Sequence, residues 1–266
     1  MATLPAIFVG HGNPMNALSR NAWTEGWAAM GSSIPRPRSI LAISAHWYGP
    51  GTRVTAMDTP PTIHDFGGFP RELFAVSYPA PGDPVLARRV AELLAPVPVD
   101  LDVLDWGLDH GTWAVLCHIY KDADVPVVQL SIDAMRPPQF HYEMGRLLGP
   151  LRDEGVLIIG SGSFTHDLSE FRGHGPNDPA PAWVDSFSDW FDARLTGGRV
   201  DELLDYRRLA PFAAKNHPTE EHLLPLYVAL GAAGKAIRAE RLHASATYSA
   251  MVVDMNVSPS SVGLFW

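Results

Sequence analysis

Ile40-Leu41-Ala42-Ile43-Ser44-Ala45-His46-Trp47-Tyr48-Gly49 carries an unbroken apolar run straight into a histidine and two large aromatics. Apolar residues without alternation predict a strand over Ser39–Ser44 that is covered on both faces, as in a parallel sheet. Alone, His46 at its end reads more simply as a packed core side chain than as a group delivered to a site. The rest of the chain decides between the two.

Comparable runs recur at Ala6–Val9, Thr52–Met57, Val127–Ile132, Val156–Gly160 and Thr247–Met255, with a possible last strand at Val262–Trp266. Helical spacing falls between several of them, at Pro84–Leu94, Thr112–Tyr120, Phe140–Arg152, Pro181–Leu195 and Glu220–Leu230, where Pro225 interrupts the last. The alternation predicts an α/β fold with a central mixed β-sheet covered by helices on both faces, and a site at the C-terminal ends of its strands. Proline and glycine cluster at DTPPTIHDFGGFP and YPAPGDP, which read as ordered loops over a site and not as an interdomain linker. One domain over residues 1–266 is expected.

Bulk properties narrow the function classes. The 266 residues carry 20 basic and 29 acidic side chains, a net charge of −9, with no basic run. Nucleic acid and anionic membrane surfaces are poor partners for such a chain. The single cysteine, Cys117 in AVLCHIY, excludes an internal disulfide and a Cys-rich zinc site. Its apolar neighbours make it a small buried hydrophobe. The start MATLPAIFVGHG has no basic n-region and no cleavage site, and no apolar run is long enough to span a bilayer, so a cytoplasmic protein is expected.

Histidine placement carries the chemistry. His11 follows the first strand in FVGHGNP, His46 follows the second, and His166 lies just past the Val156–Gly160 strand in GSGSFTHD. Three strands thus deliver a histidine at or beyond their C-terminal ends, where open α/β sheets bind ligands. Gly10, Gly12, Gly160 and Gly162 flank these positions and permit tight turns and close backbone approach. KNHPTEEHLLPL adds Glu221 and His222 in what resembles a first helical turn, where adjacent side chains point about 100° apart and do not serve one ion equally. His110 in GLDHGTW starts a helix, and His64 sits on the Pro/Gly-rich loop. His118, His141, His174 and His243 read as structural or solvated, and His217 is open.

Convergent imidazoles suit zinc, iron, copper or nickel over magnesium or calcium. Three or four ligands without thiolates describe an open, catalytic site. HExxH, GxSxG and P-loop motifs are absent, and Ser161 or Ser163 give only weak support to metal-free serine catalysis. These residues by themselves leave oxygen chemistry, metal-dependent hydrolysis and simple metal binding open.

The segments GHGNPMNAL, SAHWYG, TPPTIHDFGGFP, YPAPGDP, LDHGTWAVL, VPVVQLSID and PTEEHLLPL, in this order, resemble the extradiol 4,5-DOPA dioxygenases. These are class III extradiol ring-cleaving dioxygenases, related to the catalytic subunit of protocatechuate 4,5-dioxygenase. The likeness runs from about residue 5 to the C-terminus. It implies a metal held by His11, His46 and His222, with His166 beside it as a fourth ligand or an acid/base. His110 would contact a substrate hydroxyl or the oxygen adduct. The wider class uses two histidines and a glutamate; here that third position reads Glu221-His222, and the DOPA-type pattern points to His222. GSFTHD stands where bacterial relatives read GNVVHN. The resemblance further implies Fe(II) for catalysis, Zn(II) as a metal bound on purification, and a small catechol and O2 as substrates. The product would be a muconic semialdehyde, with a zinc-dependent hydrolase on the same histidines as the competing reading. Trp47 and Tyr48 are expected to wall the site.

Overall fold

A computed structural model describes residues 3–169, 179–234, 238–244 and 249–254. Eight strands form one sheet: β1 (Ala6–Gly10), β2 (Ser39–Gly49), β3 (Thr52–Thr55), β4 (Val99–Asp102), β5 (Val127–Asp133), β6 (Val156–Gly162), β7 (Arg238–Ala244) and β8 (Ser249–Asp254). Their order is β4-β3-β5-β2-β6-β1-β8-β7. The centre, β5-β2-β6-β1, is parallel, while β3 joins β5, β8 joins β1 and β7 joins β8 antiparallel. The sheet is therefore mixed.

The longer helices are α1 (Ala22–Ser33), α3 (Pro84–Leu94), α4 (His110–Ile119), α5 (Pro138–Leu148), α6 (Ala182–Thr196) and α10 (Leu224–Ala233). Between them lie the single turns α2 (Arg71–Phe74), α7 (Val200–Leu204), α8 (Tyr206–Leu209) and α9 (Ala213–Asn216). Alternate residues of the central strands enter two different cores. Ala6, Phe8, Leu41 and Ile43 pack with α3, α5, α6 and α10, whereas Ile7, Val9, Ile40 and Ala42 pack with α1 and α4. Every residue of β1, β5 and β6 is buried, which is why their sequences are apolar without alternation.

Several boundaries differ from the sequence reading for local reasons. The second strand runs on through His46 to Gly49, with a register shift between Ile43 and Tyr48 where it leaves the ladder to β5. The Asp109 carboxylate accepts from Thr112 N–H and starts α4 at His110, two residues early. Pro225 does not interrupt a helix but occupies the first turn of α10, where its missing N–H costs nothing. Residues 218–223 are turns and bends, so His222 precedes the helix instead of lying in its first turn. Besides the single-turn helices, the unexpected elements are α1, whose Gly26, Gly31 and serines weaken its helical signal, and the short polar edge strands β4 and β7. In α1 an Asn21/Thr24 capping box starts the helix, and a Cβ on Gly31 would lie 2.6 Å from Ile119 Cγ2, so glycine sets the close α1–α4 packing. Of the expected C-terminal strands, 249–254 is β8; residues 247, 248, 255 and the run 262–266 lie outside the described residues, as does His174. No helix among the described residues is long and apolar enough to cross a membrane.

Because β1, β2 and β6 are parallel neighbours, their C-terminal ends lie on one edge of the sheet. Register pairs Gly10 with Gly162 and Ser44 with Ser161. Any side chain just beyond these positions is delivered to the same place.

Candidate metal centre

His11 follows β1 directly and is 3% exposed. Its Nδ1 lies 2.9 Å from Ser161 Oγ, and that hydroxyl donates at 2.5 Å to the carbonyl of Gly111. A hydroxyl has one proton, so the contact with His11 requires the ring to donate from Nδ1, leaving Nε2 as a bare lone pair. His46 has its Nδ1 facing Asp65 Oδ2 at 3.3 Å, and a carboxylate oxygen favours a proton on that nitrogen. The Nε2 atoms of the two rings are 3.0 Å apart. Two lone pairs at that distance repel unless a cation sits between them.

The third ring arrives from the chain after β6. A Cβ on Gly162 would lie 2.0 Å from the carbonyl oxygen of His222, and one on Gly160 2.4 Å from that of Pro225. Only glycine lets the 222–225 backbone lie so close against β6, where Ser163 N–H donates to His222 O at 2.8 Å. On the other side, a Cβ on Gly111 would lie 2.4 Å from Ser44 Oγ and 3.0 Å from His46 Cδ2, so α4 approaches as closely as it can. His222 Nδ1 is 3.1 Å from Glu221 Oε1, and its ring stacks on His166 with centroids 3.3 Å apart. One donor atom each from His11, His46 and His222 lies within 4.8 Å of the others.

His166 is partly buried, with Nδ1 3.7 Å from Glu221 Oε1. His110 is 5% exposed; its Nδ1 is 2.8 Å from Asp65 Oδ2 and its ring centroid 3.9 Å from that of His46. The structure thus brings together all five histidines singled out from sequence. Glu221 shares the site, but its carboxylate faces the Nδ1 atoms of His222 and His166.

Burial, followed by the charge of neighbouring imidazoles, pushes the pKa of His11 and His222 well below the usual histidine value. His46 falls to about 3 for the same reasons, burial first and His110 second, and burial lowers His166. All four are neutral at neutral pH, the form that binds metals. Burial works to raise the Asp65 carboxyl, yet the hydrogen bond and charge of His110 carry it below its ordinary value. Asp109, fully buried beneath the site, is raised to about 6 by burial and then by Asp65. The donor set fits a late first-row divalent ion: neutral imidazoles, partnered at Nδ1 and unsatisfied where two Nε2 atoms meet.

A cavity of about 710 Å³ opens over this cluster. Met15, Trp23, Phe66, Phe69 and Leu168 supply its apolar lining, and Asn13, Asn16 and Asn21 spend side-chain oxygens on local caps and contacts. Two expectations fail here. Neither Trp47 nor Tyr48 lines the cavity: Trp47 is buried against Trp106, stacked at 5.4 Å, with Arg53 over its face, and Tyr48 is 40% exposed. Alternation along β2 turns Trp47 to the face opposite His46, while Tyr48 stands exposed at the end of the strand. His64 is likewise structural, bonded through Nε2 to Val76 O and packed on Phe66, Phe74 and Trp113. Sequence reasoning passed over Asp65, although it stands in HDFGGFP beside a suspected site, and treated Ser161 as a possible nucleophile instead of a histidine partner.

The chain resembles known proteins over most of its length. The family described as "Catalytic LigB subunit of aromatic ring-opening dioxygenase" matches residues 9–257. The chain is 51% identical over 232 residues, 86% of its length and 85% of the relative's, to a "4,5-DOPA dioxygenase extradiol" of Escherichia coli (strain K12). It is 42% identical over 247 residues, 90% of each chain, to the protein of the same description from Beta vulgaris. Its fold is similar to the crystal structure of an uncharacterized protein from Escherichia coli K12, with a TM-score of 0.80 and 41% identity over 95% of this chain and 100% of that one.

Proposed function

Because the chain belongs to the LigB family and is an extradiol aromatic ring-opening dioxygenase, we propose that it opens a catechol with dioxygen to a muconic semialdehyde at the histidine cluster. His11 and His46 would hold the metal through Nε2 and His222 through a ring nitrogen, with His166 beside it. The observation that carries this reading is the pair of Nε2 atoms 3.0 Å apart whose Nδ1 partners leave both as lone pairs. When bound, Fe(II) supplies the redox chemistry with dioxygen that zinc lacks.

The chain's own residues do the rest. Phe66 and Phe69 cover the cluster and, with Trp23 and Met15, present an apolar wall to an aromatic ring, limiting water around it. Ring cleavage requires a catechol hydroxyl to give up a proton. His166, with Nδ1 toward Glu221, takes it at Nε2 and returns it as the ring opens. His110, its ring centroid 3.9 Å from that of His46, meets the substrate beside it. One catalytic domain spans the chain, and the lone cysteine and acidic balance suit a cytoplasmic enzyme.

The test is an oxygen electrode with a panel of catechols. Metal-free protein reconstituted anaerobically with Fe(II) is expected to consume oxygen and form a yellow product, whereas the zinc form is expected to be inert. Equal turnover with zinc, or hydrolysis that proceeds without oxygen, would replace this reading with that of a zinc hydrolase.

A further inference from the structure

We propose that Asp65 is a positioning residue that sets the tautomer of two rings at once, so that His46 and His110 both present an Nε2 lone pair to the ring-cleavage site. The inference rests on the reading of the metal centre given above. Asp65 Oδ1 accepts the backbone N–H of His110 at 2.9 Å; Oδ2 accepts His110 Nδ1–H at 2.8 Å and faces His46 Nδ1 at 3.3 Å. One carboxylate therefore spans a metal-side ring and a cavity-side ring. A neutral imidazole that gives its only N–H to a carboxylate can act only as an acceptor at the other nitrogen. With its ring neutral, His110 then receives a hydrogen bond from a substrate hydroxyl at Nε2 and does not donate one to an oxygen anion. Of the two contacts that the sequence resemblance suggests for it, this selects the substrate hydroxyl over the oxygen adduct.

The carboxylate is held where this requires. Its loop is tied to the start of α4 by a short parallel bridge, Ile63 N–H to Leu108 O at 2.9 Å and Leu108 N–H to Pro61 O at 2.8 Å. Trp113 Nε1–H donates to Ile63 O at 2.9 Å, and a Cβ on Gly107 would lie 2.2 Å from Pro61 O, so side chains other than glycine are excluded at the crossing. Phe66 packs edge-on against His110 with centroids 5.4 Å apart. The PPTIHDFGGFP segment is thus a strap that carries one carboxylate to two imidazoles. Asparagine in its place keeps the shape but not the acceptor: Oδ1 can still take the backbone N–H, while Nδ2 would face both Nδ1 atoms and favour the Nε2–H tautomer in each ring.

Long-range ¹⁵N–¹H correlation of the zinc-loaded protein reads the tautomers directly. The expected result is Nδ1–H at both His46 and His110 in the wild type, and Nε2–H at His110 in Asp65→Asn. Chelator competition should show metal affinity about 10- to 100-fold weaker in Asp65→Asn, with Asp65→Glu in between. At saturating Fe(II), Asp65→Asn should raise the catechol KM, and that increase should vanish in a His110→Ala background while the loss of metal affinity persists. An Nε2–H tautomer at wild-type His110, wild-type metal affinity in Asp65→Asn, or a KM increase undiminished in His110→Ala would overturn the proposal. The wild-type spectrum decides even if Asp65→Asn does not fold. Failure of the underlying site reading shows separately, as wild-type zinc affinity in His11→Ala and His46→Ala.

Discussion

Replacing Gly162 by alanine tests whether close backbone contact is what places His222. The new Cβ would stand 2.0 Å from the His222 carbonyl oxygen and 3.2 Å from Phe8 Cε2. Real Cβ contacts essentially never fall under 3.0 Å, so the 222–225 backbone must retreat by about 1 Å. The obstacle is backbone and cannot rotate aside. A misplacement of that size at a reacting centre costs on the order of 100-fold in turnover, or roughly 3 kcal/mol of transition-state stabilisation. Strain of about 1–3 kcal/mol is added to the fold, and the Ser163 N–H bond to His222 O, worth about 1 kcal/mol, is stretched or lost. Alanine recovers part of this through its better strand propensity. A fall in Tm of roughly 4–10 °C follows for a chain of this size. Gly49→Ala is the control, because nothing lies within 4 Å of its Cβ and its φ is ordinary. Calorimetry, chelator competition and oxygen uptake on both variants give the answer. If Gly162→Ala keeps wild-type metal affinity and turnover, the glycine contact does not position His222 and the account of the third ligand is wrong.

Three further outcomes are expected. His166→Phe should retain iron but lose turnover if the ring moves a proton, whereas loss of iron would make it a ligand. Metal-free protein should lose stability as pH falls below 6.5: unfolded histidines then take up protons, whereas burial keeps native His141 neutral until about pH 4 and His217 until about pH 3. His141 contributes roughly 3 kcal/mol to that loss across the window, so His141→Leu should make the acid limb of a Tm–pH curve shallower by one proton. An unchanged slope would refute the assignment. Cys117 is partly buried and not the fully buried hydrophobe its neighbours suggest, because its side chain sits at the margin of the core. Burial still pushes its thiol up to about 12, so a thiol reagent should label native protein much more slowly than the unfolded chain, and equal rates would contradict its placement.

The apolar runs at residues 6–9, 40–43, 127–132 and 156–160 determined the parallel centre of the sheet, because a strand covered on both faces has no polar side to conceal its period. With those strands parallel, the histidines after them had to share an edge, so His11, His46 and His166 were legible from order alone. The edge strands β4 and β7 were not, since four alternating residues or a polar run at a sheet margin look like loop. The position of His222 was also decided only in three dimensions, where Gly160 and Gly162 admit its backbone against β6 and Pro225 begins the following helix instead of breaking it. Asp65 shows the same division. Its strap is conspicuous in sequence, but that one carboxylate reaches two rings, one 19 residues earlier and one 45 later, depends on the bridge between Thr62 and Leu108. Local residue order specifies which side chains leave a strand end; the contacts that orient their nitrogens come from distant backbone, and only packing brings that backbone into reach.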